Sequence, residues 1–157
     1  MSTGAARSLR RRELSYRHLV VPLVSGAESE TAMALAAELA AEHGATITAV
    51  VVIELPPQLP LEAHMLEEEV QARRVLEDAR AIAAARGVRV QARTLRARKA
   101  GEAIVAEAER AGADLVVLRA ARKRRLGRRA RMFGKTVDHV LRHVPCRVLL
   151  AAPPPHA

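Results

Sequence analysis

Apolar positions along the chain switch between two periods, and the switching predicts its elements. The run His18-Leu-Val-Val-Pro-Leu-Val24 is almost continuously apolar, as expected of a strand buried on both faces. From Glu28 to His43, Ala32, Leu35, Ala36, Leu39 and Ala40 recur at helical spacing, and Gly44 stands where a helix would stop. Thr46 to Glu54 returns to the buried-strand pattern ahead of a proline-rich loop, Leu55 to Leu61. The longest helix is expected over about 63–86, with Ala72, Val75, Leu76, Ala79, Ile82 and Ala83 on its apolar face and Gly87 at its end. Val88 to Leu95 alternates with period 2, the mark of a half-exposed strand at a sheet edge. A short helix from Ala100 to Ala111, a buried strand from Ala113 to Leu118, a helix from Thr136 to His143 and a last strand from Cys146 to Ala151 complete the order.

Five strands alternating with four helices imply an α/β fold with a right-handed, doubly wound parallel sheet. Ligands of such sheets sit beyond the carboxyl ends of the strands, where strand order reverses. That rule selects the loops after the first strand (Val24 to Ala27), after the second (from Glu54) and after the fourth (Arg119 to Phe133). The last has about 15 residues and no helical or strand pattern, a length that suggests function.

Composition narrows the choices. A chain of 157 residues buries one core without metal or disulfides. An aromatic content of 1%, Tyr16 and Phe133 alone, argues against surfaces that work by stacking on bases or sugars. Cys146 is the single cysteine, so no intramolecular disulfide forms and a reducing cytoplasm is expected. Residues 1–16 carry charge but no apolar h-region, and are expected as a disordered basic arm; 152–157 form a tail. No run reaches the roughly 18 apolar residues of a membrane span.

The formal charge is +9, and its placement matters more than its size. Residues 119–135 hold nine basic groups and no acidic one, and without them 17 basic residues face 17 acidic ones. A smaller cluster, Arg7, Arg10, Arg11, Arg12 and Arg17, opens the chain, whereas 18–118 is acidic, with 10 basic to 15 acidic residues. Only three residues are lysine, so genome base composition also favours Arg and Ala here; clustering is therefore better testimony than the preference for Arg. An anionic partner is implied: a phosphate ligand, an acidic protein, nucleic acid or an anionic membrane. The basic arm also leaves association with a transporter open.

Several segments together resemble one family. They are Val21-Pro22 in the first strand, Val52-Ile53-Glu54 closing the second, Ala100-Gly101-Glu102-Ala103-Ile104-Val105, Gly112-Ala113-Asp114, and Phe133-Gly134 followed by the helix that ends in His143-Val144-Pro145-Cys146. This order, over roughly 17–151, resembles the universal stress protein family. The resemblance implies strand order 3-2-1-4-5 and commonly a homodimer in which the last strands of two subunits meet. Some members bind ATP, AMP or cyclic nucleotides and others bind none.

Nucleotide-binding members carry G-x2-G-x9-G-(S/T) after the fourth strand, glycines letting backbone approach phosphate at a helix N-terminus. Here only Gly134 matches. Counted forward, the first two glycines fall on Arg119 and Arg122; counted back from Gly134, on Ala121 and Arg124. Lys135 holds the hydroxyl position, Thr136 follows, and Val24 replaces the acidic residue expected after the first strand. The resemblance thus places a candidate, degenerate ligand site on Pro22, Leu23, Val24, Val52, Leu118, Arg119, Arg122, Gly134, Lys135 and Thr136. Either the arginines rebuild an anion site, or Arg122, Lys123, Arg124, Arg125, Arg128, Arg129 and Arg131 form a docking loop beside a dead pocket.

Other candidates carry less. Gly134-Lys135-Thr136 ends like a Walker A loop, but Arg129 stands where its first glycine belongs. His139 and His143 share a helix face with no third zinc ligand, and a solvent-facing pair is expected. Asp138 has no nucleophile to serve. Cys146 reads as a small buried hydrophobe, and Glu67-Glu68-Glu69 as a solvated helix start. The expectation is a non-catalytic regulatory module that binds a phosphate ligand, with a pure interaction domain as the alternative.

Overall fold

The computed structural model describes residues 15–24, 27–120 and 134–152. Their order is β1 (His18–Pro22), α1 (Ala27–His43), β2 (Thr46–Glu54), α2 (Leu66–Ala84), β3 (Val90–Ala97), α3 (Ala100–Ala111), β4 (Leu115–Arg119), α4 (Lys135–His143) and β5 (Arg147–Ala151). The strands form one parallel sheet in the order β3-β2-β1-β4-β5, as the resemblance implied. The expected arm (1–14 of it) and most of the tail lie outside the described residues.

Period-2 geometry sorts the strand residues onto two faces. Leu19 and Val21 of β1, with Ile47, Ala49 and Val51 of β2, pack with Met33, Ala36 and Ala40 of α1 and Leu76 and Ala83 of α2. The intervening Val20 and Val50 point the other way, joining Val116 and Leu118 of β4, Ile104 and Ala108 of α3, and Val137 and Val140 of α4. With helices over both faces, the central strands have no solvent side, which explains their unbroken apolar runs. Both edges of the sheet, β3 and β5, are mostly half-buried, with no fully buried position in either.

Boundaries differ from the sequence pattern where turns intervene. The helix expected over about 63–86 runs only Leu66–Ala84, because Ala63 is drawn into a turn by its bond to the Pro60 carbonyl. The third strand begins at Val90 rather than Val88: the Val88 N–H still bonds back to the Ala83 carbonyl of α2. It continues past Leu95 to Ala97, paired with Glu54 at the end of β2. The first strand ends at Pro22, the fourth starts at Leu115 and the fifth at Arg147, each a little inside the apolar run.

Two polar contacts fix the ends of the frame. The Asp114 carboxylate accepts the backbone N–H groups of Arg17 (2.8 Å) and His18 (3.2 Å), tying the entrance of β1 to that of β4. Gly112 ends α3 at φ 62°, a left-handed conformation that suits glycine.

Candidate functional site

β1 lies between β2 and β4, so the chain leaves the centre in one direction, returns, and crosses to the other side. The carboxyl ends of β1 and β4 therefore diverge, and a crevice opens between the loops that leave them. A cleft of about 500 Å³ occupies that position. Its walls are Pro22, Leu23 and Val24 after β1, Val50, Val52 and Glu54 of β2, Ala100 and Ile104 of α3, and Leu118 and Arg119 of β4; Ser29 and the first turn of α4 close it.

Nine of the ten site residues selected from the sequence line this one cleft: Pro22, Leu23, Val24, Val52, Leu118, Arg119, Gly134, Lys135 and Thr136. The tenth, Arg122, lies outside the described residues, as do Lys123, Arg124, Arg125, Arg128, Arg129 and Arg131 of the expected docking loop.

The most polar wall is the start of α4. Gly134 stands at the N-cap with φ 90° and ψ 173°, where a side chain would be strained, and it contributes no capping side chain. The first N–H groups of a helix lack intrahelical acceptors and carry the positive end of its dipole, so this turn is an anion-favouring surface. Lys135 adds an ammonium and Thr136 a hydroxyl. The opposite end of the cleft is apolar. Val52 is half-buried and Val24 is 48% exposed.

Two residues that shape the cleft escaped the sequence reading. The Ser29 hydroxyl, in the first turn of α1, accepts the Val24 N–H at 3.1 Å and folds the β1 loop back onto the helix. The Glu54 carboxylate accepts the Ala100 N–H at 2.8 Å and so caps α3 from a different strand. A signal existed for the second: Lys99 occupies the N-cap of α3 and makes no side-chain cap, leaving the helix to find an acceptor elsewhere.

The remaining candidates fall elsewhere. The His139 and His143 rings stack at 4.2 Å and 22°, and His143 Nδ1 lies 2.9 Å from the His139 carbonyl oxygen. The pair is not simply solvent-facing, because His139 is half-buried against Gly101: a Cβ on Gly101 would meet His139 Cβ at 2.9 Å. Cys146 is half-buried rather than buried, just before β5. Burial, and next the Asp114 charge, push its thiol pKa above the ordinary value. Glu69 is not free in solvent but pairs with Arg96 of β3, while Glu67 and Glu68 remain exposed. Among the described residues no group of three or more His, Cys, Asp or Glu side chains could hold a metal ion, and no helix is long and apolar enough to cross a membrane.

Comparison with known proteins follows the same geometry. Residues 15–152 match the model of the universal stress protein family. Among solved structures, a universal stress protein from Archaeoglobus fulgidus superposes with a TM-score of 0.71 at 20% identity, covering 90% of this chain and 98% of that one. A universal stress protein family member from Burkholderia pseudomallei is 26% identical, with a TM-score of 0.63 over 86% of this chain and 95% of its own. An Archaeoglobus fulgidus universal stress protein in complex with dAMP is 20% identical, with a TM-score of 0.68 over 86% and 97% of the two chains. No curated protein matches significantly.

Proposed function

The chain belongs to the universal stress protein family, and on that premise we propose that it is a non-catalytic regulatory module whose cleft takes the phosphate of a small ligand. An adenine nucleotide is the first candidate, and the dAMP complex of the Archaeoglobus fulgidus relative supports it. The observation that carries the reading is the wall formed by Gly134, Lys135 and Thr136 on a cleft of about 500 Å³ at the switch point. The first two glycines of the fingerprint are absent, but Gly134 remains at the helix start, with Arg119 and Lys135 beside it on the cleft. Val24 removes the family's acid, so the nucleoside end is held by the apolar wall and less selectively.

The non-catalytic part rests on what the polar groups already do. The Ser29 hydroxyl is engaged by the Val24 N–H and Glu54 by the Ala100 N–H. No histidine or cysteine lines the cleft among the described residues. Isothermal titration with ATP, AMP and cyclic AMP is the test: heat at submillimolar ligand supports the reading, and silence with all three overturns it.

A second reading has its own support in the nine cations of 119–135 that no acid accompanies. In it the arginine-rich loop docks an acidic protein, nucleic acid or an anionic membrane, including the surface beside a transporter, and the cleft stays empty. Binding to an acidic partner must then weaken steeply as salt rises. In either reading the module works in the cytoplasm as a homodimer joined at β5, whose outer edge has no strand partner among the described residues.

A further inference from the structure

Beyond Lys135 and Thr136 the cleft opens into a second hollow of about 470 Å³, and the two share Glu54, Ala100, Lys135 and Thr136 as a common wall. Two helix starts converge on this annex, that of α3 at Ala100–Glu102 and that of α4 at Lys135 and Thr136. Gly101 allows the convergence, since its missing Cβ is what lets α3 rest on His139 of α4. Both helices direct the positive ends of their dipoles into the same space.

The side chains add to that field. Lys135, His139 and Arg142 recur at i, i+4 and i+7, one stripe of α4 running roughly 10 Å along its axis. Arg98 and Lys99, at the β3–α3 corner, also line the annex. Three carboxylates line it too, and two of them are already committed: Glu54 accepts the Ala100 N–H, and Asp138 lies 3.5 Å from Arg142. Glu102 is the third, in the first turn of α3. Arg98 is held by the Pro56 carbonyl oxygen at 2.6 Å, but among the described residues neither Lys99 nor Lys135 has an ion-pair partner. The uncommitted Lys99 and Lys135, with the start of α4, which has no side-chain cap, suit a negatively charged group with several acceptor oxygens.

Resting on the reading of the cleft as a phosphate site, we propose that the annex holds a second phosphate group of the same ligand. The chain then selects nucleotides that carry two separated phosphates, such as a nucleoside 3′,5′-bisphosphate, over those that carry one. Lys135 and Thr136 lie between the two phosphates, while Lys99 and Arg142, the latter shared with Asp138, touch only the second.

The test is a pair of titrations on the full chain, with 5′-AMP and with adenosine 3′,5′-bisphosphate. The bisphosphate should bind about tenfold more tightly or better, the discrimination expected of one or two charge-assisted contacts. Lys99→Ala and Arg142→Ala should each narrow that gap, and together abolish it, while affinity for AMP stays within about twofold. Both side chains are exposed, so the variants leave the core alone, and circular dichroism checks the fold. AMP binding without any preference for the bisphosphate, or a preference that survives the double variant, overturns the annex and leaves the cleft standing. Silence with both ligands overturns the cleft reading and the annex with it.

Discussion

Glycine at 101 runs against helix propensity: alanine inside a helix is favoured over glycine by about 1 kcal/mol. Here packing decides the sign. The added methyl would sit 2.9 Å from His139 Cβ, an atom fixed to the α4 backbone that cannot swing aside. Gly101→Ala should therefore destabilise the protein by roughly 1–3 kcal/mol, read as a lower midpoint in urea unfolding; a raised midpoint would mean that α3 and α4 do not meet here. Cys146 makes the second residue-scale case. Its thiol is raised above the ordinary value of 9.0, first by burial and then by Asp114, so the fold holds the neutral form. The unfolded chain ionises first as pH rises, and the stabilising contribution, complete below 9.0, is lost above it. Between about pH 8 and about pH 10 the wild type should lose more stability than Cys146→Ala, and at neutral pH the thiol should alkylate more slowly than a free one. Equal losses in the two proteins would show that the thiol is not held neutral.

At the scale of elements, α3 depends on a residue it does not contain. Its own N-cap is Lys99, and Glu54, 46 residues earlier, accepts the Ala100 N–H. Glu54→Ala should cost about 1 kcal/mol in thermal or urea unfolding, the usual worth of a lost cap, with Glu54→Gln recovering part of it. No change for Glu54→Ala would leave the cap without energetic meaning. The same contact shows what was legible in the sequence. Periodicity reports burial along one element, and on that basis all nine elements and the half-exposed nature of β3 could be read from residues such as Val20, Val50 and Arg93. Contacts between elements distant in sequence leave no such trace. Neither the clasp of Val24 by Ser29 nor the seat of His139 on Gly101 has a periodic signature. The edges of elements failed for a related reason, since Val88 is apolar and buried yet belongs to the turn closing α2. The cleft was legible because topology, not side-chain detail, decides where strand order reverses.

At the scale of the molecule, the +9 charge separates into a balanced scaffold and one basic stretch after β4. That stretch leaves the sheet at Arg119 and enters α4 at Lys135, and both ends line the cleft. Both ends of the basic stretch thus meet the pocket built by the ends of the central strands and the start of α4. The proposed assembly rests on β5, the last strand of the sheet among the described residues: Leu149 packs on one core layer and Val148 and Leu150 on the other. Light scattering should give about twice the 17.0 kDa subunit mass, and a mass of one subunit at micromolar concentration would refute the β5 dimer. The central claim, a phosphate held at the start of α4, is tested most directly by titrating AMP into the wild type and into Lys135→Glu. Reversing a charge on that wall should weaken binding by about tenfold or more; equal affinity of the two proteins would contradict the account.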